Sequence, residues 1–498
     1  MRRLEKIIVP HLESSPESKC YWWDGNWYTR SDLLALVKNC EDALKASGFG
    51  KGQRLVVMLR NCPLIPALSL AAWRLGGIFC PLNEKAGLES LTGTLDLIKP
   101  FAVIAEHDIP ELSRLWPFIT CGLDDKTLPE FTGRPQSEEP EDLAIIFATS
   151  GTTGLPKAVP LTHNNLISNC EEVHAMITSI TDSDVFLNVL PNFHSFGYTV
   201  TIILPLTIGA KLAIAPSFLP PAVTIRAIIE AKIDVLFVVP AIISFLLMST
   251  EKGKLAPEVL SRIRIICTGG DKLNPNLHKL SLKLLGRDIM EGYGLTETSP
   301  VICVNHDCET QITGSIGPFL PDYEYKIRTR EGVDVEDTPE KEGVLWVKGP
   351  SVTPGYLHAP EINAERFDSD GWFNTGDYVK VEPHNGEDYV YILDRVTDII
   401  IVGGFNVYPQ EVEKVLAEHP AVHAAVVVGV PHNINGEIPK AYVQLNDGAD
   451  ANDREIIKFA KEHLAHFKVP RSVEFVEEFP LSGTGKILRR VLRERARQ

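Results

Sequence analysis

The sequence predicts an α/β protein built on parallel sheets. Three observations lead there. Short β-branched runs alternate with amphipathic stretches through most of the chain, and strand followed by helix, repeated, is the pattern of parallel strand–helix–strand units. From about Gly314 the texture changes to strands separated by turns, which predicts a smaller β-rich lobe. Near Asp394 a third stretch begins that mixes strands and helices.

Leu55–Met58, Phe101–Ala105, Leu143–Ala148, Val235–Val239 and Ile263–Cys267 are near-continuous apolar runs, as expected of strands buried on both faces. Ser31–Ser47, Asn164–Thr178 and Ala222–Ala231 carry apolar residues at helical spacing. Tyr323–Arg328, Gly343–Lys348 and Asp388–Leu393 read as strands of the β-rich lobe. The last stretch reads as strand Asp398–Val402, helix Pro409–Glu418, strands Ala424–Val430 and Lys440–Leu445, helix Asp453–Leu464 and a basic C-terminal helix.

A length of 498 residues implies two to four structural units at about 150 residues each. With 44% hydrophobic and 23% charged residues the composition is that of a globular protein, not of a disordered or collagen-like chain. The net charge of −16 argues against a nucleic-acid surface, which needs a basic excess. Nine cysteines stand far apart without metal-ligand spacing and are expected to be buried, reduced thiols of a cytoplasmic protein. The N-terminus offers only Ile7–Val9 before Pro10, too little for a secretory signal. Tyr198–Ala210 and Ile233–Met248 are the most apolar tracts. Pro205, Asp234 and Pro240 interrupt them, and both fall short of the ~18 residues a membrane span needs. They are read as buried core or as the wall of an apolar pocket.

Ile145–His163, IIFATSGTTGLPKAVPLTH, carries the first chemical signal. A strand runs into Thr149, Ser150, Gly151, Thr152, Thr153 and Gly154, followed by Lys157. Amide groups freed by glycine, with several hydroxyls and an ammonium, suit a polyphosphate. The spacing is not that of a P-loop, because Gly151 and Gly154 are three apart and Lys157 follows Pro156. The alternative is an ordinary turn between a strand and a helix.

TSGTTGLPKAV resembles the phosphate-binding signature of the adenylate-forming superfamily, which includes acyl-CoA synthetases, peptide-synthetase adenylation domains and luciferases. Glu291–Glu297 (EGYGLTE), Phe373–Asp377 (FNTGD), Asp394–Glu413 (DRVTDIIIVGGFNVYPQEVE) and Pro480–Arg490 (PLSGTGKILRR) follow in that family's order. The resemblance covers essentially the whole chain. It implies a large N-terminal AMP-binding domain, residues 1–393, of two packed α/β sheets plus the β-rich lobe at about 314–393. A small mobile α+β lid, residues 394–498, would follow, hinged near Asp394–Thr397, with Thr397 at a position where Asp or Lys is usual.

The resemblance also assigns roles. Glu291, Gly292, Tyr293 and Gly294 would line the adenine, with Tyr293 stacked on or beside it. Thr296 would hydrogen-bond the α-phosphate, and Glu297 would hold Mg2+, a hard cation that takes oxygen ligands. Gly269, Gly270 and Asp271 would present backbone to the adenine, although Asp271 reads equally as a helix N-cap. Asp377 would accept the ribose hydroxyls, and Arg395 would reach ribose or phosphates. Lys486, flanked by Gly483 and Gly485, would bridge the attacking carboxylate and the α-phosphate. His194 would gate and orient the acid, with Phe193, Phe196 and Tyr198 lining the acyl tunnel or belonging to the core. Gly403 and Gly404 would leave room for a pantetheine arm.

The implied reaction is activation of a carboxylic acid, expected to be fatty, to acyl-AMP with ATP and Mg2+, followed by transfer to a thiol. The C-terminal motifs resemble medium- and long-chain fatty acyl-CoA synthetases, which makes CoA the expected acceptor. FHSFGYTVTIILPL resembles acyl-ACP synthetase domains, so an acyl carrier protein is the alternative acceptor. Arrest at acyl-AMP and a non-enzymatic adenylate sensor are further alternatives. The sequence leaves peripheral membrane association and oligomeric state open.

Overall fold

The computed structural model describes residues 2–135, 142–150, 156–335, 341–433, 436–480 and 487–496, apart from the side chains of Ser150 and Pro156. The protein is of the α/β class, with a large unit of mainly parallel sheets and a smaller α+β unit. The first compact unit joins Met1–Glu324 to Lys348–Phe373; the second joins Tyr325–Val347 to Asn374–Gln498.

Two sheets frame the first unit among the described residues. The larger has eight strands in the order Val301–Val304, Met290–Gly294, Ile265–Thr268, Val235–Val238, Val185–Asn188, Lys211–Ile214, Lys19–Trp23, Asn26–Thr29. Its interior pairings are parallel, and the two end strands are antiparallel. The other has six strands: Phe118–Thr120, Ala102–Ala105, Arg54–Met58, Ile78–Pro81, Leu143–Ser150 and Pro156–Thr162. The predicted strands recur here within two residues at either end, because buried β-branched runs have no competing use.

Helix Leu64–Arg74 is buried at every position from Leu64 to Trp73, as a helix apolar on all sides must be. Its Trp73 indole donates to the Ala144 carbonyl of the six-stranded sheet at 2.7 Å. The tract Tyr198–Ala210 is core, as expected. It opens with a π-helical turn, Thr199–Ile203, every residue of which is buried. The Tyr198 ring stacks on Phe79, 5.6 Å between centroids, and meets Phe147 edge-on at 6.0 Å. Ile233–Met248 is only partly core: Ile243, Leu246 and Leu247 are fully buried, but Phe245 and Met248 are about 40% exposed. Helix Pro240–Glu251 carries apolar residues on more than one face, so some of them reach solvent.

In the second unit Glu324–Arg328, Lys341–Lys348, Phe373–His384 and Glu387–Arg395 form a four-stranded sheet. A second sheet comprises Phe405–Val407, Ile400–Val402, Gly436–Leu445, Val422–His432 and Ser472–Phe475. Helices Pro409–Leu416 and Asp453–His463 pack on it through Val412, Leu416, Ile456 and Ala460. The C-terminal helix Arg489–Ala496 is not merely a solvated basic face. Arg489 forks onto both Glu413 oxygens at 2.5 and 2.7 Å, and Arg493 pairs with Asp398 at 2.5 Å.

All nine cysteines are free thiols, and eight are buried. Burial pushes Cys20, Cys40, Cys80 and Cys121 up to about 12, so they stay protonated and inert. No helix among the described residues is long and apolar enough to cross a membrane.

Candidate active site

The phosphate-loop segment is built as a hairpin. Strand Leu143–Ser150 pairs antiparallel with Pro156–Thr162, with Thr149 opposite Lys157. Gly151, Thr152, Thr153 and Gly154 lie outside the described residues, as does Lys486 with Gly483 and Gly485; of Ser150 only the backbone is described. The alternative of a plain strand-to-helix turn does not hold, since a second strand precedes helix His163–Met176. The Lys157 ammonium lies 5.4 Å from the centre of the Tyr356 ring.

EGYGLTE occupies strand Met290–Gly294 and the 3-10 turn Thr296–Thr298. The turn is tied down from several sides. The Thr298 hydroxyl receives the Leu295 amide at 3.0 Å and donates to the Pro300 carbonyl at 2.6 Å. The Asn169 amide reaches across from helix His163–Met176, donating to the Val301 carbonyl at 2.7 Å and accepting from the Val301 N–H at 3.1 Å. Tyr323 donates to the Thr298 carbonyl at 3.1 Å. The two residues expected to touch phosphate and metal thus ride on a fixed backbone. The Thr296 hydroxyl meets Ser195 Oγ at 3.3 Å, and Glu297 Oε1 accepts from the Tyr356 hydroxyl at 2.6 Å.

Glu291 faces inward. Its Oε1 lies 3.2 Å from His278 Nε2, and His278 Nδ1 lies 2.5 Å from Asp288 Oδ1. The result is a buried acid–imidazole–acid row beneath strand Met290–Gly294.

Glycine is required where these strands touch. A Cβ at Gly269 would stand 3.2 Å from the Gly292 carbonyl oxygen and 3.3 Å from the Phe196 ring, and one at Gly294 would stand 1.8 Å from the Pro300 oxygen. Gly270 has φ +82, a conformation that disfavours any side chain. Asp271 is not a helix N-cap. Its carboxylate accepts from the adjacent Lys272 N–H at 2.8 Å, while Asn274 caps helix Pro275–Leu285. His194 precedes the short helix Ser195–Tyr198, its ring 4.6 Å from that of Phe193. Ser195 and Phe196, which follow it, reach Thr296 and Gly269, so the structure brings this segment to the predicted nucleotide residues.

The second unit holds the other candidates. Asp377 and Arg395 face each other in register on adjacent antiparallel strands, and Arg395 Nε binds Asp377 Oδ1 at 2.7 Å. Asp377 is buried, and Arg395 is half-exposed. Gly403 and Gly404 form the two-residue turn of the hairpin Ile400–Val402/Phe405–Val407, with φ +58 and +87. That turn geometry alone calls for glycine, and a Cβ at either position would meet nothing within 4 Å.

Two family profiles match this chain: the AMP-binding enzyme over residues 10–357 and the AMP-binding enzyme C-terminal domain over residues 411–486. The chain belongs to the AMP-binding enzyme family. A long-chain-fatty-acid–CoA ligase of Bacillus subtilis is 32% identical over 99% of this chain and 94% of its own length. A feruloyl-CoA synthase of an Amycolatopsis species is 30% identical over 98% of each chain. The ATP-bound crystal structure of MatB from Rhodopseudomonas palustris superposes with a TM-score of 0.88 at 28% identity, covering 99% of both chains.

This AMP-binding enzyme is therefore an AMP-forming acid–thiol ligase that takes ATP and CoA. The Glu297 carboxylate and Thr296 hydroxyl are hard oxygen donors of the kind Mg2+ accepts beside a phosphate, so the residues fit that cation. Sequence reading missed Tyr356, Asn169 and the His278–Asp288 pair, which come from stretches without a motif.

The buried row makes the ligase's stability depend on pH. Burial opposes a charge on His278, but its hydrogen bonds to Asp288 and Glu291 outweigh that and raise the imidazole to about 9, above its ordinary 6.5. A raised histidine stabilises fully below its unfolded value and loses that contribution as pH rises through the folded one. The wild type is expected to exceed His278→Gln by on the order of 2–3 kcal/mol at pH 6, the gap closing above pH 9. Paired thermal melts across this range check it. A gap independent of pH would mean that His278 is neutral.

Proposed function

We propose that this enzyme converts a fatty acid to its acyl-CoA thioester through acyl-AMP, with Mg·ATP as the activating substrate. The observation that carries the choice of acid is the near full-length similarity to a long-chain-fatty-acid–CoA ligase. The apolar surroundings of the His194 segment support it: Phe196 and Val239 pack against the large aliphatic cluster behind the eight-stranded sheet. The feruloyl-CoA synthase relative favours one second reading, an aromatic acid in the same place.

In this reading Thr149 to Gly154 and Lys157 cradle the phosphates, Tyr293 lines the adenine, and Asp377 with Arg395 holds the ribose. Thr296 binds the α-phosphate. Glu297 would hold Mg2+, which supplies charge neutralisation at the phosphates. His194 orients the carboxylate. Lys486 bridges carboxylate and α-phosphate while the acyl–phosphate bond forms and pyrophosphate leaves. The Gly403–Gly404 turn leaves space for the pantetheine that then displaces AMP. CoA is preferred to a carrier protein because the C-terminal arginines Arg489, Arg493 and Arg495 are already paired with Glu413, Asp398 and Glu474.

ATP-dependent AMP release over acids from acetate to palmitate, with benzoates and hydroxycinnamates alongside, tests the proposal with CoA and with a phosphopantetheinylated carrier as acceptors. Turnover is expected to peak on a fatty acid with CoA. A peak on an aromatic acid would establish the second reading, and activity confined to the carrier would overturn the choice of acceptor.

A further inference from the structure

Residues Thr353–Leu357 form a seam between the two motif-bearing elements of the first unit. On one side the Thr353 hydroxyl donates to the Pro160 carbonyl at 2.6 Å, and the Leu357 amide donates to the Ala158 carbonyl at 2.9 Å, both on the strand that begins beside Lys157. On the other side the Thr353 amide donates to the Glu297 carbonyl at 2.7 Å. Tyr356 lies within this seam and is 4% exposed. Asn363 clamps its backbone, accepting from the Tyr356 amide at 2.7 Å and donating to its carbonyl at 2.9 Å. Gly355, at φ +134, makes that clamp: a Cβ there would come within 3.0 Å of Asn363 Oδ1.

We propose that Tyr356 is a positioning residue, its hydroxyl aiming the Glu297 carboxylate and its ring face holding the Lys157 ammonium where the metal-bound triphosphate arrives. The inference rests on the roles proposed above for Glu297 and Lys157. A direct pair between a lysine and a glutamate that share one neighbour would have to break before either took its ligand. Here each charge meets one phenol instead, the carboxylate at 2.6 Å from the hydroxyl and the ammonium at 5.4 Å from the ring centre. A phenol hydrogen bond fixes a carboxylate without neutralising it, and an aromatic face attracts an ammonium only weakly. Both groups stay oriented toward their ligands. A fixed scaffold supplies the orientation, since the ring belongs to a segment bonded to both partners' backbones.

Binding of a fluorescent ATP analogue to the full-length protein, titrated with Mg2+, tests the proposal in Tyr356→Phe, Glu297→Gln and the double variant. Tyr356→Phe is expected to raise the half-saturating Mg2+ concentration roughly tenfold, the scale of a hydrogen bond to a charged group. Its nucleotide affinity without Mg2+ should be unchanged, because the ring remains for Lys157. In the Glu297→Gln background the Phe substitution should add nothing. A shift with Glu297→Gln but none with Tyr356→Phe would overturn the inference while sparing the functional reading, as would a full Tyr356→Phe effect persisting in the double variant. No shift with Glu297→Gln would remove the metal role of Glu297, and this inference with it. The ring is tested by Tyr356→Leu, whose Mg2+-free affinity should fall about threefold below that of Tyr356→Phe. Equal affinities would refute the Lys157 half.

Discussion

Gly294→Ala is expected to reduce ATP–pyrophosphate exchange by about a hundredfold or more while lowering the melting temperature by only a few degrees. The added Cβ would stand 1.8 Å from the Pro300 oxygen and 2.9 Å from the Val301 Cα, both backbone atoms that cannot rotate away. The strand pair must part, and the turn bearing Thr296 and Glu297 must move with it. Overpacking of this kind costs about 1–3 kcal/mol, which in a unit of this size lowers the melting temperature by only a few degrees. A displacement of about 1 Å at reacting groups, in contrast, costs on the order of a hundredfold in rate. Exchange within threefold of wild type would show that the turn's position is set elsewhere, for instance by the Asn169 amide alone.

The second large effect separates the two half-reactions. Lys486→Ala is expected to slow acyl-AMP formation by about a hundred- to a thousandfold, the scale of losing one preorganised cation or donor at a developing charge. Thioester formation from supplied acyl-AMP and CoA should stay within a few fold of wild type, because the phosphoryl transfer is then already complete. Pyrophosphate exchange and AMP release from synthetic acyl-AMP measure the two steps independently. Equal loss in both would refute this division of labour.

Much of this was legible in the sequence, for a physical reason. Buried parallel strands such as Arg54–Met58 and Val235–Val238 must be apolar on both faces, so their composition announces them. The motifs were legible because each is a run of small, hydroxyl-bearing or charged residues on a short stretch of chain. Asp377 and Arg395, placed independently by two motifs, proved to be direct partners. Groups whose meaning is purely tertiary stayed hidden. Tyr356 is one tyrosine in an unremarkable GYLHAPEIN segment, and only folding brings it to a glutamate 59 residues away. His278 is likewise an ordinary helix residue until Asp288 and Glu291 close on it. The Gly403–Gly404 pair carries two signals at once, since a tight hairpin asks for the same residues as a cofactor passage.

The order in which the chain visits its two compact units bears on how relatives of this enzyme can be recombined. The chain leaves the first unit after Glu324, returns at Lys348 and leaves again after Phe373, so three junctions rather than one separate the pieces. A transplant that begins at residue 394 would carry Tyr408 but leave behind Glu342, whose carboxylate accepts its hydroxyl at 2.6 Å, and would carry Arg395 without Asp377. Such a graft inherits foreign partners for two polar contacts, one of them at the buried Asp377. Exchanging 325–347 together with 374–498 keeps the unit's own hydrogen-bonded partners in one parental set, and that is the recombination block the backbone itself defines.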